Sequence, residues 1–528
     1  MLAYNTLQFL LFIAVFFAIY FIVPGTRLKQ AVILLGNFIF YRYAGGMNAL
    51  CFVVLASLTA YIAGRLMEKT YAEFSLKSDA LDYKAKAELL AGYKKTTVKF
   101  VIAGMIVIIG IMVYTKVGRM SGWENVSTIR QIVPLRNYLA PLGVSYYSLS
   151  LTGYMLDVYW RKAQAEHDYL KLLLCTTFFP TIIQGPIMKY SSMMKQFEEL
   201  PGFDFRRVSF GMQLILYGYI KKIVLADRLA IFHGNIFSDI GSYEGMTVVI
   251  AVIFNVLTLY LDFSGCMDIV TGLAQMMGIS VEKNFNHPFF SKTPAEFWRR
   301  WHITLGAWFK DYVYMPIAVN PGFISMVAKV KKASGSDLSR VFSTGVPLIT
   351  VWTLTGLWHG TGINYLLWGW YWGILIIFEV TFSKQLKEKE KAEAAKGRLP
   401  MYDLFRRSLT FAAFAVGRMF TALGMGVHNA VPVIIGRIFY GTDFKSLIDG
   451  SLFTHGLSQR EFGLCIAGIF FVWIIDLLQE RGLSIRQRLS EQHIIVRWTF
   501  YLGALMIVLI FGMYGEGFNA SGYAYGGF

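Results

Sequence analysis

Apolar and polar positions fall into long blocks along this chain. Extended apolar runs are separated by short basic stretches. Residues 7–23 (LQFLLFIAVFFAIYFIV), 98–113 and 246–261 (MTVVIAVIFNVLTLYL) carry no charge or almost none. With their flanks they approach the roughly 20 residues a helix needs to cross a bilayer. They predict membrane helices. The first is read as a retained span rather than a signal peptide, because no basic stretch precedes it and further spans follow. The cations gather in 67–97, 189–207, 283–300, 329–340, 384–407 and 480–497. Such loops lie on the cytoplasmic side under the positive-inside rule. Alternating from them places the N-terminus outside, gives about a dozen membrane segments, some only partly crossing, and puts 227–245 and 441–461 outside. Residues 118–137, with Arg119, Arg130 and Arg136, fit that alternation less well.

Two apolar stretches make poor lipid-facing helices. LKLLLCTTFFPTIIQGPIMKY (170–190) holds Pro180, Gln184, Gly185 and Pro186 at membrane depth. Irregular backbone there must be buried in protein or line a wet cavity; a structural kink is the other reading. Residues 255–275 carry Asp262 and Asp268, and intramembrane carboxylates usually face a bundle interior and find a partner. A structural pairing is expected. The most polar stretches, 67–97 and 383–407, read as cytoplasmic insertions. KQLKEKEKAEAAKG within the second suggests a solvated helix closed by Gly397. With neither internal repeat nor linker, 1–528 reads as a single integral membrane domain.

Two histidines stand out against this background. Thr293, Pro294 and Glu296 supply a hydroxyl cap, an N1 proline and an N3 acid, predicting a helix over 293–316 that ends at Pro316. At 100° per residue, Trp298, Trp301, His302, Leu305, Trp308, Phe309 and Tyr312 share one face; Arg299, Arg300, Lys310 and Asp311 occupy the other. Such a helix lies in the interface or dips into the protein. On this pattern His302 is either a packed core residue or a functional one. The second histidine is His359, in an apolar run from Val346 to Phe378 without a single Asp, Glu, Lys or Arg. Gly360 and Gly362 follow it and would let the helix break. An ionisable group so placed is a functional candidate. Imidazole exchanges protons near neutral pH, so the pair suits acid–base work.

Composition sharpens the picture. The 528 residues are 55% hydrophobic and 16% charged, with a mean hydropathy of +0.48, against about 25% charged in soluble domains. The net charge of +17 sits in the loops, which argues for a membrane surface and against nucleic acid. Cys51, Cys175, Cys266 and Cys465 are scattered singly, so no disulfide framework or metal site is expected. No GxSxG elbow supports a serine triad.

Four stretches carry a resemblance. APLGVSYYSLSLTGYMLDVYWR (140–161), FFPTIIQGPIMKY (178–190), EKNFNHPFFSKTPAEFWRRWHITLGAWFKDYVYMPI (282–317) and TGLWHGTGINYLLWG (355–369) resemble the membrane-bound O-acyltransferase (MBOAT) superfamily, in its bacterial alginate O-acetyltransferase-like branch. The resemblance implies an all-α integral membrane protein, a ring of about 11–13 membrane helices with re-entrant segments around a central channel. It implies transfer of an acyl group, foremost acetyl, from a cytoplasmic thioester (acyl-CoA or a phosphopantetheine-carried acyl group) to a hydroxyl outside, with no tightly bound cofactor or metal. A polysaccharide acceptor, an extracytoplasmic or membrane-anchored partner and a multi-pass location in the bacterial cell membrane go with it. His359 becomes the principal catalytic residue and His302 its partner; Trp301, Arg300, Trp358, Asn364, Gln184 and Asp311 are expected along the substrate and donor channel. The sequence departs from the branch at 320–340, where NPGFISMVAKVKKASGSDLSR replaces a glycine-rich basic stretch, and in its FNASGYAYGGF ending. D-alanyl transfer to teichoic acid is the near alternative. A multi-pass transporter or flippase is the distant one.

Overall fold

A computed structural model describes residues 4, 6–79, 81–117, 142–360, 362–424, 427–440 and 444–514. Among them every regular element is helical, and one isolated bridge joins Phe285 to Trp301. Among the described residues eight helices are long and apolar enough to cross a membrane, and Leu7–Ile22 and Ala430–Tyr440 are shorter apolar ones. The all-α membrane architecture expected from the apolar blocks is thus present. Residues 118–137 and the FNASGYAYGGF ending lie outside the described residues.

The chain forms two compact units. Of the described residues, the first comprises those up to Met212 together with Val270–Glu282, and the second comprises Gln213–Ile269 and those from Lys283 onward.

In the first unit, Leu7–Ile22 begins where the Thr6 hydroxyl accepts from the Phe9 amide at 3.2 Å. Residues 67–97, expected as a polar insertion, prove to be mostly helix. Gly46–Ser78 and Tyr83–Val117 form a long hairpin whose charged ends prolong the two helices. Ala, Glu and Lys favour helix strongly, so polarity there marks where the spans leave the apolar layer, not where helix stops.

The 170–190 segment breaks as its prolines require. Tyr169–Thr177 is followed by the short turn Phe179–Ile182 and then by non-helical backbone up to Tyr190. The whole break, Phe178 to Met188 save half-buried Thr181, is buried. The freed backbone groups find partners at once. Tyr4 donates its hydroxyl to the carbonyls of Phe179 (3.1 Å) and Pro180 (3.0 Å). The Phe179 amide donates to Asn37 Oδ1 at 2.9 Å, and Asn37 Nδ2 donates to Thr177 Oγ1 at 3.1 Å. This is how irregular backbone survives among apolar helices.

In the second unit, Gly218 and Gly265 let two helices touch. A Cβ on Gly218 would stand 2.5 Å from the Gly265 carbonyl oxygen. The next turn, Ile220–Ala226, is π-helical and buries Lys221 and Lys222. Lys221 pairs with Asp268 and donates to Ser264 at 3.1 Å. Lys222 reaches Asp227 at 2.9 Å and Asp262 at 2.5 Å. The carboxylates of the 255–275 run are therefore in ion pairs. Their lysines come from the adjacent helix, delivered by the wider turn.

Candidate functional site

The sequence pattern predicts one helix over 293–316; the structure makes several pieces of it. The start is as expected: Thr293 Oγ1 accepts from the Glu296 amide at 3.1 Å, and Glu296 accepts from the Lys292 amide at 2.9 Å. Pro294–Arg300 then ends. Trp301 is extended, His302 adopts φ 46° and ψ 51°, and a new helix runs Ile303–Phe309. A π-helical turn, Lys310–Tyr314, leads into Met315–Ala318. Pro316 thus sits inside a continuous helical run that ends at Ala318, two residues beyond the expected stop, just after the wider π turn.

The break has a visible cause. The strand-like segment around Asn284 competes for backbone groups that a continuous helix would have satisfied internally. The Asn286 amide donates to Arg300 O at 3.0 Å and the Ile303 amide to Asn284 O at 3.1 Å. Asn284 Oδ1 accepts from both the Thr304 amide (3.1 Å) and the Thr304 hydroxyl (2.7 Å). His302 then caps the next helix with its carbonyl, which accepts from Leu305 and Gly306. A left-handed, non-glycine backbone is uncommon, with histidine among the enriched exceptions. Such conformations persist where surrounding contacts enforce them, and they cluster at functional sites.

His359 arrives from another direction. It is the last residue of Pro321–His359; Gly360 is extended and Gly362 caps Ile363–Thr381. The glycine break expected there is present. Gly360 is required sterically, since a Cβ would stand 2.3 Å from the Tyr365 ring.

Both imidazoles pack on one indole. The Trp358 ring centroid lies 6.0 Å from that of His302 and 4.8 Å from that of His359. Phe263 also packs edge-on against His302 at 4.9 Å, and Trp368 against His359 at 5.0 Å. The two histidines are 3% and 7% exposed. Aromatic walls of this kind exclude water while leaving ring nitrogens as the polar atoms.

The other expected channel residues divide. Trp301 is buried beside His302 in a cage of Phe285 (4.9 Å), Phe414 (5.0 Å) and Phe297 (5.5 Å), and Trp358 is the shared wall. Arg300 is engaged structurally, 2.8 Å from both Glu296 and Glu480. Asn364 donates to the Phe420 and Gly424 carbonyls at 3.3 Å, joining two helices. Asp311 lies half-buried in the π turn. Gln184 is buried in the first unit, whereas the histidines belong to the second. Sequence reading missed Asn284, Phe263, Trp368 and the two lysines. Adjacent Lys221 and Lys222 inside an apolar run were a legible signal; Asn284 carried none without its partner. Among the described residues no group of three His, Cys, Asp or Glu is placed to hold a metal ion.

Fold and site together define a polytopic all-helical membrane protein with two buried histidines on a common tryptophan. Residues 135–329 match the family model of MBOAT, the membrane-bound O-acyltransferase family. The chain is 27% identical over 373 residues to a probable alginate O-acetylase of Pseudomonas aeruginosa, covering 70% of this chain and 64% of that one. It is 29% identical over 271 residues to a peptidoglycan O-acetyltransferase of Helicobacter pylori, covering 46% and 48%. A teichoic acid D-alanyltransferase of Bacillus subtilis is 26% identical over 277 residues, covering 50% and 65%. The chain thus spans less than two thirds of the length of each of these three relatives. The likeness to the membrane-bound O-acyltransferase family thus rests on residues 135–329 and on relatives of 26–29% identity.

Proposed function

We propose that this protein is a membrane O-acyltransferase that moves an acyl group, foremost acetyl, from a cytoplasmic thioester to a hydroxyl outside the membrane. The acceptor is an extracytoplasmic polysaccharide, or a partner protein that delivers the group to one. The carrying observation is the meeting of His302 and His359 on the Trp358 indole, from separate elements and behind aromatic walls. Relatives named for acetyl transfer to alginate and to peptidoglycan support the reading.

In this reading His359 takes the proton of the acceptor hydroxyl as the oxygen attacks the thioester carbonyl. A carbon–oxygen bond forms, the carbon–sulfur bond breaks, and the proton passes to the departing thiolate. His302 orients the reactants or donates through a ring N–H to the oxygen on which charge develops. Clustered cations of the cytoplasmic loops attract the anionic donor, acetyl-CoA or an acylated carrier protein. The histidines, with Trp301 and Trp358 beside them, border the path along which donor and acceptor meet. The protein sits in the bacterial cytoplasmic membrane with its N-terminus outside.

The test is reconstitution with radiolabelled acetyl-CoA and a charged carrier protein in parallel. Label should leave one donor and reach a hydroxyl acceptor. His359→Ala should abolish transfer with the protein still inserted in the membrane, and His302→Ala should reduce it severely. Full activity in His359→Ala overturns its role. D-alanyl transfer, the alternative favoured by the Bacillus subtilis relative, predicts label leaving only a D-alanyl carrier protein. Substrate crossing without modification would mark a transporter.

A further inference from the structure

The turn that carries His302 is tied down chiefly by one residue outside the aromatic site, through its side chain and its main-chain carbonyl. Asn284 is 2% exposed. Its Oδ1 accepts twice from Thr304, from the amide at 3.1 Å and the hydroxyl at 2.7 Å. Its own carbonyl accepts from the Ile303 amide at 3.1 Å. Three hydrogen bonds from one residue thus seize the first two positions after His302. On the other side, Asn284 Nδ2 points to Met267 Sδ at 3.2 Å. Met267 lies one turn beyond Phe263 on Gly245–Met277, and Phe263 is the ring packed against His302. Asn284 therefore ties the loop carrying His302 to the helix that walls its imidazole.

The chemistry of the arrangement is specific. The first amides of a helix have no partner within it. An asparagine carbonyl oxygen reaching in from a neighbouring segment supplies one, where a cap from within the chain would put a serine, threonine or aspartate at position 302. Position 302 is thereby released from capping with its side chain and can be an imidazole aimed elsewhere. The left-handed φ of 46° is the backbone consequence: the chain turns sharply at His302 to enter a helix whose start is fixed from outside.

We infer that Asn284 is a positioning residue for His302, acting through Thr304. The inference rests on the reading of His302 as part of the transfer site. Displacement of a reacting group by about 1 Å costs roughly a hundredfold in rate, so Asn284→Ala should lower kcat by about that factor with KM for the thioester donor little changed. Thr304→Val, which removes the hydroxyl bond alone, should show a smaller fall in kcat, and Thr304→Ser should restore it. Hydrogen exchange by mass spectrometry gives a readout independent of catalysis. In Asn284→Ala the amides of 302–306 should exchange faster, with protection of Gly46–Ser78 and Gln459–Glu480 unchanged.

His302→Ala is measured alongside. If it is inactive and Asn284→Ala keeps its kcat, the inference fails. It also fails if exchange at 302–306 is unaltered, if protection is lost throughout, or if only KM moves. Full activity in His302→Ala with faster exchange in Asn284→Ala leaves the positioning intact and removes the role assigned to His302.

Discussion

Single residues at this site are legible from different kinds of signal. His359 stands out as the lone histidine in a long run without Asp, Glu, Lys or Arg, and the glycines behind it mark where its helix ends. His302 looked ambiguous because its neighbours in sequence form a plausible amphipathic stripe; what sets it apart is a φ no stripe encodes. Gly360 tests the local argument. Its backbone is extended, so alanine is tolerated conformationally, and the obstacle is the Tyr365 ring 2.3 Å from a new Cβ. Gly360→Ala should displace either that ring or His359 and cut transfer by roughly a hundredfold at ordinary expression. Unaltered turnover would show that the ring gives way freely.

At the scale of elements, the second unit invests in buried charge. Lys222 is 1% exposed between Asp227 and Asp262. Replacing one member of a buried ion pair costs about 3–5 kcal/mol, because the remaining charge is left without its counter-ion. Lys222→Met should therefore lower the melting temperature of the detergent-solubilised protein markedly. Adding Asp227→Asn and Asp262→Asn should recover part of the loss, since no lone charge then remains; a Lys222→Met protein that melts like the parent would refute the pairing. The π-helical turn is part of the same device. A regular turn would not carry both neighbouring lysines to carboxylates on the facing helix, and such turns are recurrent at functional positions. In the first unit, Tyr4 and Asn37 serve the broken backbone at Phe178–Pro180 in the same spirit, with neutral hydrogen bonds in place of charge.

For the whole molecule, the apolar blocks already required a multi-pass membrane protein, and eight spanning-grade helices among the described residues bear that out. The side assignment makes a separate prediction. With single cysteines introduced into a background lacking exposed Cys51, an impermeant maleimide added outside whole cells should label position 448 and spare position 391. Both residues belong to surface stretches, Ile448 being 88% exposed and Lys391 lying on the solvated helix Ser383–Ala395. The reverse pattern would invert the topology.

Hydrophobic periodicity and charge placement are properties of neighbours along the chain, so helices, spans and the exceptional status of His359 follow from sequence alone. The 293–316 helix did not, because its continuity depends on whether amides near 303 are served from within or by Asn284 across a turn. The ion pairs of Asp262 and Asp268 were anticipated in kind, but their lysines were not. Which groups meet in a folded chain is decided by packing between segments distant in sequence. The common indole beneath the two histidines is the clearest instance: Trp358 is adjacent to one of them in the chain and 56 positions from the other, and only the tertiary fold makes it neighbour to both.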